Sequence, residues 1–280
     1  MNNFRTWLLM GLLTVLLVFA GKLIGGNVGM LVMLGISFIM NLSSYWFSDK
    51  IAISMTGSRP VTEQEEPELY AIVRKLSLRA GLPMPRIFVS PSPQPNAFAT
   101  GRDPEHAVVA VTEGLRNLLS WDEIEGVIGH ELAHVKNRDI LIGSMAAMVA
   151  GMITALANIA QWGLMFGFGG DDEESPLGVI GILIAVIVMP IAAMLVQFAI
   201  SRSREFEADA DGAVIAGRSE PLINALQKLE RGAEAIPMDV SPAAAHMFII
   251  NPLSSASFAR LFSTHPPVTE RVARLRRLGR

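Results

Sequence analysis

The chain contains no cysteine, which excludes disulfides and thiolate metal ligands together. Charge is scarce as well: Lys, Arg, Asp and Glu make up 18% of its 280 residues, against about 25% in a soluble globular domain. No Lys/Arg stripe of the kind that nucleic-acid binding needs stands out, and the formal net charge is −3, which argues against nucleic acid as a partner. Histidine is limited to five residues. Any bound metal must therefore sit on His, Asp or Glu. What the chain has in excess is apolar: 51% of residues are hydrophobic, and the missing charge is missing in blocks, as in an integral membrane protein.

Four apolar blocks run from about Trp7 to Ile24, Asn27 to Phe47, Ile140 to Phe168 and Leu177 to Ile200. Each reaches the roughly 20 residues that a spanning helix needs. The first follows a basic Arg5 but carries no small-x-small cleavage site, so it reads as a span and not as a signal peptide. If all four blocks span, Arg5, the basic residues from Lys50 to Arg138 and those from Arg202 onward share one side. The other side receives Lys22 and the acidic loop "GGDDEESP". By the positive-inside rule both termini and both larger polar regions are cytoplasmic. The expected organisation is a pair of transmembrane helices (1–47), a cytoplasmic α+β subdomain (48–139), a transmembrane hairpin (140–200, external loop about 169–176) and a cytoplasmic helical subdomain (201–280).

Within the first polar region, Pro67 suits the first turn of a helix running to about Ala80, with Gly81 past its end. "RIFVS" and "HAVVAVT" have strand composition, and "NAFAT" between them is extended. "SWDE" (Ser120 to Glu123) is a capping-box signature opening a further helix. Three more helices are expected over Arg202 to Ala216, Glu220 to Arg231 and Pro267 to Leu278, while Ala235 to Ser257 has no clean period and reads as a loop or flap.

The capped helix carries His130-Glu131-Leu132-Ala133-His134, an H-E-x-x-H motif. Residues four apart share a helix face, so both imidazoles can reach one ion. Glu131 lies one step round, where it can take a proton from water that zinc has made acidic. A purely structural or transported zinc has no need of that carboxylate. A catalytic zinc takes a third protein ligand, and "SRSREFEADAD" offers Glu205 with Asp209 on one face, or Glu207 with Asp211 on another. Spacing alone does not choose between the pairs.

"HELAH", "SRSREFEADA", "PNAFATG" and "THPP", in a chain with two apolar blocks before the first motif and two after it, resemble the HtpX-type membrane zinc metalloproteases. These belong to the gluzincin family that also contains the CAAX prenyl protease. The resemblance covers essentially the whole chain. It implies an α+β zincin-like (gluzincin) cytoplasmic protease domain combined with four α-helical transmembrane segments, and one zinc ion per subunit. It selects Glu205 as third ligand beside His130 and His134, with Asp209 supporting a ligating histidine. It also implies that Asn96, Ala97 and Phe98 form a strand along the substrate cleft, and that His265 donates to the oxyanion. Asp139 matches a family position without a mechanism attached.

The implied activity is a zinc-dependent endopeptidase of the cell's inner (cytoplasmic) membrane, with Glu131 as base. It would cleave misfolded or damaged membrane proteins in a stress response, in cooperation with other membrane quality-control proteases. His106 reads as exposed and His246 earns no role, while Gly126 and Gly129 read as sites of close helix packing. One ion cannot be held from both sides of a bilayer. The segment between His134 and Glu205 must then cross an even number of times, which sets the zinc just outside the membrane.

Overall fold

The computed structural model describes residues 2–142, 202–235, 249 and 266–278. Most of the third apolar block, the fourth block, His246 and His265 lie outside the described residues.

The first two apolar blocks form one long element, α1 (Asn2–Met55), broken at Gly25 and Gly26. Gly26 sits at φ 57, ψ −139, a conformation essentially closed to residues with a Cβ. The two arms fold back on each other there. Gly21 and Gly29 approach so closely that a Cβ on either would meet the other's carbonyl oxygen at 2.4 or 2.2 Å. Further along, Asn41 Nδ2 donates to Thr14 Oγ1 at 2.9 Å. Small residues and interhelical polar bonds of this kind hold helices together where apolar burial gives no drive. Among the described residues, Gly25–Met55, with 31 residues, is long and apolar enough to cross a membrane, and Thr6–Phe19 is a shorter apolar helix. The second arm breaks again at Phe47 (φ −119, ψ 18), where its apolar block ends, and a further helical piece runs on to Met55.

That continuation carries a four-stranded sheet of order β1-β2-β4-β3, built from β1 (Arg59–Pro60), β2 (Arg86–Ser90), β3 (Ala97–Thr100) and β4 (Val108–Thr112). β4 is central, parallel to β2 and antiparallel to β3. All five of its residues are buried, because both faces of the sheet are covered. Alternate residues go each way, as the two-residue strand period requires. Phe98 and Ala110 meet Ala52 of α1, while Ile87, Val89, Ala97, Val109 and Val111 join the main core under the helices.

α2 (Pro67–Ala80) begins at its proline and ends at Gly81, left-handed at φ 68. A short α3 (Glu113–Leu118), capped by Thr112, intervenes before the site helix and has no counterpart in the sequence expectations. α4 (Trp121–Lys136) opens with the full capping box, Ser120 and Glu123 each serving the other's backbone amide. It lies buried along most of its length, against α5 (Arg202–Ala216) and α6 (Glu220–Ala235), with α7 (Val268–Leu278) packed over α5 and α6. α6 is longer than expected, reaching Ala235.

Three glycines set these contacts. A Cβ on Gly126 would meet the Leu222 backbone nitrogen at 2.5 Å, and one on Gly129 would meet the Gly212 carbonyl oxygen at 2.9 Å. A Cβ on Gly212 would meet His130 N and Cα, both at 2.8 Å. Gly212→Ala should raise the stability of a free helix by about 1 kcal/mol. In this protein the change is expected to lower the thermal unfolding midpoint, since it separates α5 from α4. An unchanged or higher midpoint would show that the crossing has room to give.

Candidate metal centre

His130 and His134 come from α4, and Glu205 from the first turn of α5. One ligand atom from each lies within 4.8 Å of the others. His130 Nε2 and His134 Nε2 face each other at 3.2 Å, with the rings at 89°. The Glu205 carboxylate closes the triangle, 3.7 Å from His130 Nε2 and 3.5 Å from His134 Nε2. His130 and Glu205 are buried, at 1% and 5% exposure.

Each imidazole is gripped from behind. Asp209 Oδ1 lies 3.0 Å from His130 Nδ1. Asp139 Oδ2 lies 3.3 Å from His134 Nδ1. A carboxylate there accepts, so in a neutral ring Nδ1 carries the proton and Nε2 is left with its lone pair. With both rings neutral, three electron-pair donors converge, a set that fits a cation. This arrangement of the alternative carboxylates is equally plain: Asp211 accepts from Asn137 at 2.9 Å and takes no part in the cluster.

Local structure explains how Asp139 arrives. α4 ends at Asn137, Arg138 takes φ 59, and the Asp139 amide donates to the His134 carbonyl at 2.9 Å. That left-handed step turns the chain back on its own last turn, so a residue just past the helix reaches the histidine inside it.

Glu131 points to the sheet side, its Oε2 accepting from the Ala99 amide at 2.9 Å. Burial raises its pKa to about 7; the Glu205 charge adds to this, against His134 and the Ala99 hydrogen bond. Burial opposes the charge on His134, but the Asp139 contact and the charges of Glu205 and Glu131 outweigh it and raise its pKa to about 9. Burial foremost, helped by the charges of His134 and Arg271, holds His130 below its ordinary value.

One functional residue escaped the sequence reading. Arg271 of α7 is 0% exposed and grips Asp209 with two bonds, Nε to Oδ2 at 2.8 Å and Nη2 to Oδ1 at 2.6 Å. Nη2 also lies 3.9 Å from Glu205 Oε2, and Nη1 donates to the Ile249 carbonyl at 3.0 Å. The Ile249 amide in turn donates to Asn96 Oδ1 at 3.1 Å. The signal was present: Val268, Arg271, Val272 and Leu275 form one buried stripe on α7, and an arginine inside such a stripe needs a buried acid.

Of the expected cleft strand, Asn96 thus uses its side chain to hold Ile249, and Phe98 is buried against α1. The Thr112 amide donates to the Asn96 carbonyl at 2.9 Å, so Asn96, Phe98 and Thr100 face the ladder while Ala97 and Ala99 turn their backbone groups outward. No strand pairs with that outer edge among the described residues. His106 is exposed, against Asp103.

A helix presenting two imidazoles and a glutamate, crossed by a second helix bearing a carboxylate and flanked by an open strand edge, defines the zincin class of metallopeptidase. Comparison with known proteins narrows the class. The profile of "Peptidase family M48" matches residues 63–278, and the chain belongs to that family. It is 60% identical over 276 residues to a "Protease HtpX homolog" of Pelotomaculum thermopropionicum, covering 98% of each chain. It is 52% identical over 276 residues to one of Pyrococcus furiosus, covering 98% of this chain and 95% of the other. Among solved structures it resembles the crystal structure of S. mikatae Ste24p, with TM-score 0.53 and 21% identity over 94% of this chain and 62% of that one. That likeness concerns the fold. The chain is a metalloprotease.

Two outcomes follow for the centre. Arg271→Lys keeps the charge but not the paired bond to Asp209, and is expected to weaken metal affinity about 10-fold to 100-fold in a chelator competition. Unchanged affinity would show that Asp209 holds His130 unaided. A proton on His134 must leave before the nitrogen can ligate, and its raised pKa of about 9 keeps the proton in place below that pH. Apparent affinity should therefore fall as pH drops from about 9, by up to roughly tenfold per unit for each proton displaced. A flat profile between pH 6 and 9, as isothermal titrations in buffers of differing ionisation heat would reveal, contradicts this.

Proposed function

We propose that the chain is a zinc-dependent endopeptidase of the cytoplasmic membrane that cleaves misfolded or damaged membrane proteins. His130, His134 and Glu205 would hold one zinc ion, and Asp209 and Asp139 would fix the two imidazoles. The donor set supports zinc: two neutral nitrogens and a carboxylate are its usual catalytic ligands, with a further position left for water. When bound, zinc supplies Lewis acidity, making water acidic near neutral pH and polarising the scissile carbonyl.

The remaining steps belong to the protein. Glu131 takes the proton from the attacking water and returns it to the leaving amine. Its pKa of about 7 lets it do both near neutrality. The Ala99 amide holds one of its oxygens. The outward backbone groups of Ala97 and the Ala99 carbonyl offer a substrate main-chain hydrogen bonds that ignore sequence, which suits loose specificity. His265 is assigned to the oxyanion by family resemblance, and lies outside the described residues.

Membrane insertion is supported by α1, whose second arm exposes Val28, Leu31, Val32, Phe38 and Ile39, an apolar surface suited to lipid. Four spans with both termini and the site on the cytoplasmic side extend this reading through the positive-inside bias. Membrane-protein substrates follow from a site joined to that helix. Other quality-control proteases would act beside it.

The observation that carries the proposal is the contact between Glu131 and the open strand edge, since a structural zinc has use for neither. Glu131→Gln is expected to keep about one zinc per chain and to lose cleavage of casein or a membrane substrate by about 100-fold to 10,000-fold. Cleavage retained by the variant would remove Glu131 from the mechanism. Labelling of cysteines introduced at 170–176 and 90–106 in intact cells tests the topology, since only the first set should react from outside.

A further inference from the structure

The second arm of α1 has 31 residues, about 46 Å measured along the chain, with a break at Phe47. A bilayer's hydrocarbon core is about 30 Å thick. Measured from the turn at Gly26, about 30 Å of helix ends at Trp46. The chemistry changes at that level. Trp46 and Phe47 are exposed aromatics, with Arg102 stacked over Trp46 at 4.9 Å and Lys50 beside Phe47 at 5.2 Å. Aromatic rings with cations are the usual mark of a membrane–water interface.

Above Trp46 the helix becomes a stalk for the sheet, joined at several heights. Arg86 pairs with Asp49, and Thr100 Oγ1 donates to the Ser48 carbonyl at 3.5 Å. Phe98 and Ala110 pack on Ala52, and Ser90 Oγ donates to the Thr56 carbonyl at 2.7 Å. From Asp49 to Thr56 the helix climbs about 10 Å. From Arg86 to Ser90 the strand climbs about 13 Å. Helix and strands therefore rise side by side beyond the break at Phe47. The ends at Arg86, Thr100 and Val108 are lowest, since these residues are register partners. β3 runs down toward the lipid with its outer edge open, and Glu131 touches that edge at Ala99. Ser48 lies about 3 Å beyond Trp46 along the helix, and Ala99 is one strand residue, about 3 Å, above Thr100.

We infer that the β3 edge, tied to α1 just past Trp46, is a ruler that receives an extended segment as it leaves the bilayer, so that the substrate is the stretch of a membrane-anchored chain adjoining its span. An extended chain covers about 3.3 Å per residue. The heights above then place the cut within about five residues of the span's last apolar residue. This rests on the peptidase reading and on α1 crossing the membrane. A docked segment replaces water on the outward groups of Ala97 with main-chain hydrogen bonds, so register is set by height above the lipid and not by side chains.

The test uses the full chain, loaded with zinc, in phosphatidylcholine vesicles with single-span substrates. The same unstructured reporter follows the span directly, or after Gly/Ser spacers of about 10 or about 20 residues. Cut sites are mapped by mass spectrometry, with the Glu131→Gln variant as background and the free reporter peptide as a spanless control. Cuts are expected to stay within about five residues of the span in all three substrates, moving into the spacer as it lengthens. Cuts that follow the reporter wherever it is placed would overturn the ruler. So would cleavage of the free peptide with none of the anchored forms, and in either case the peptidase reading would stand. No cleavage of any substrate above the Glu131→Gln background would sink that reading, and the ruler with it.

Discussion

The site depends on two backbones approaching without side chains between them. At the crossing of α4 and α5, Gly129 faces Gly212, and Gly212 lies against the backbone of His130. Only at that separation can Glu205, two turns before Gly212 on α5, lie opposite both imidazoles. The same closeness brings Asp209 within 3.0 Å of His130. Glycine in a helix interior costs about 1 kcal/mol relative to alanine. Here that cost is offset by close packing against α5 and α6, and the geometry of three ligands follows from it.

A second constraint operates on the other side of the sheet. Because α1 continues past the apolar block, the sheet is covered on both faces, and β4 is a run of buried residues with no polar alternation. Its position in the middle of the sheet is therefore visible in "HAVVAVT" itself, since a strand buried on both faces reads as continuously apolar. The covering also makes the membrane helix and the catalytic domain one packed unit, through Ala52, Phe98 and Ala110, and not two parts on a linker.

Much of this could be read from residues. Pro67 and Gly81 marked the ends of α2, and Ser120 with Glu123 opened α4, because these are local effects of backbone geometry and capping. The meeting of His130, His134 and Glu205 was readable only with family resemblance, since spacing left Glu207 and Asp211 equally eligible. The structure brings Glu205 and Asp209 together with the imidazoles and leaves Asp211 to Asn137. Other features were hidden because they depend on tertiary contacts. Asp139 reaches His134 through a left-handed Arg138, a conformation that no residue type there announces. The extension of α1 to Met55 follows from the sheet docking on it. Arg271 left a trace, an ion in an apolar stripe, but nothing in sequence named Asp209 as its partner.

Arg271 also orders events in time. It follows His130, His134 and Glu205 in the chain, so a ribosome delivers the three ligands well before the guanidinium that steadies Asp209. Until α7 has folded onto α5, one imidazole lacks its fixed support and Ile249 lacks one of its two anchors. Bracing of the metal cluster is thus among the last contacts the growing chain can make.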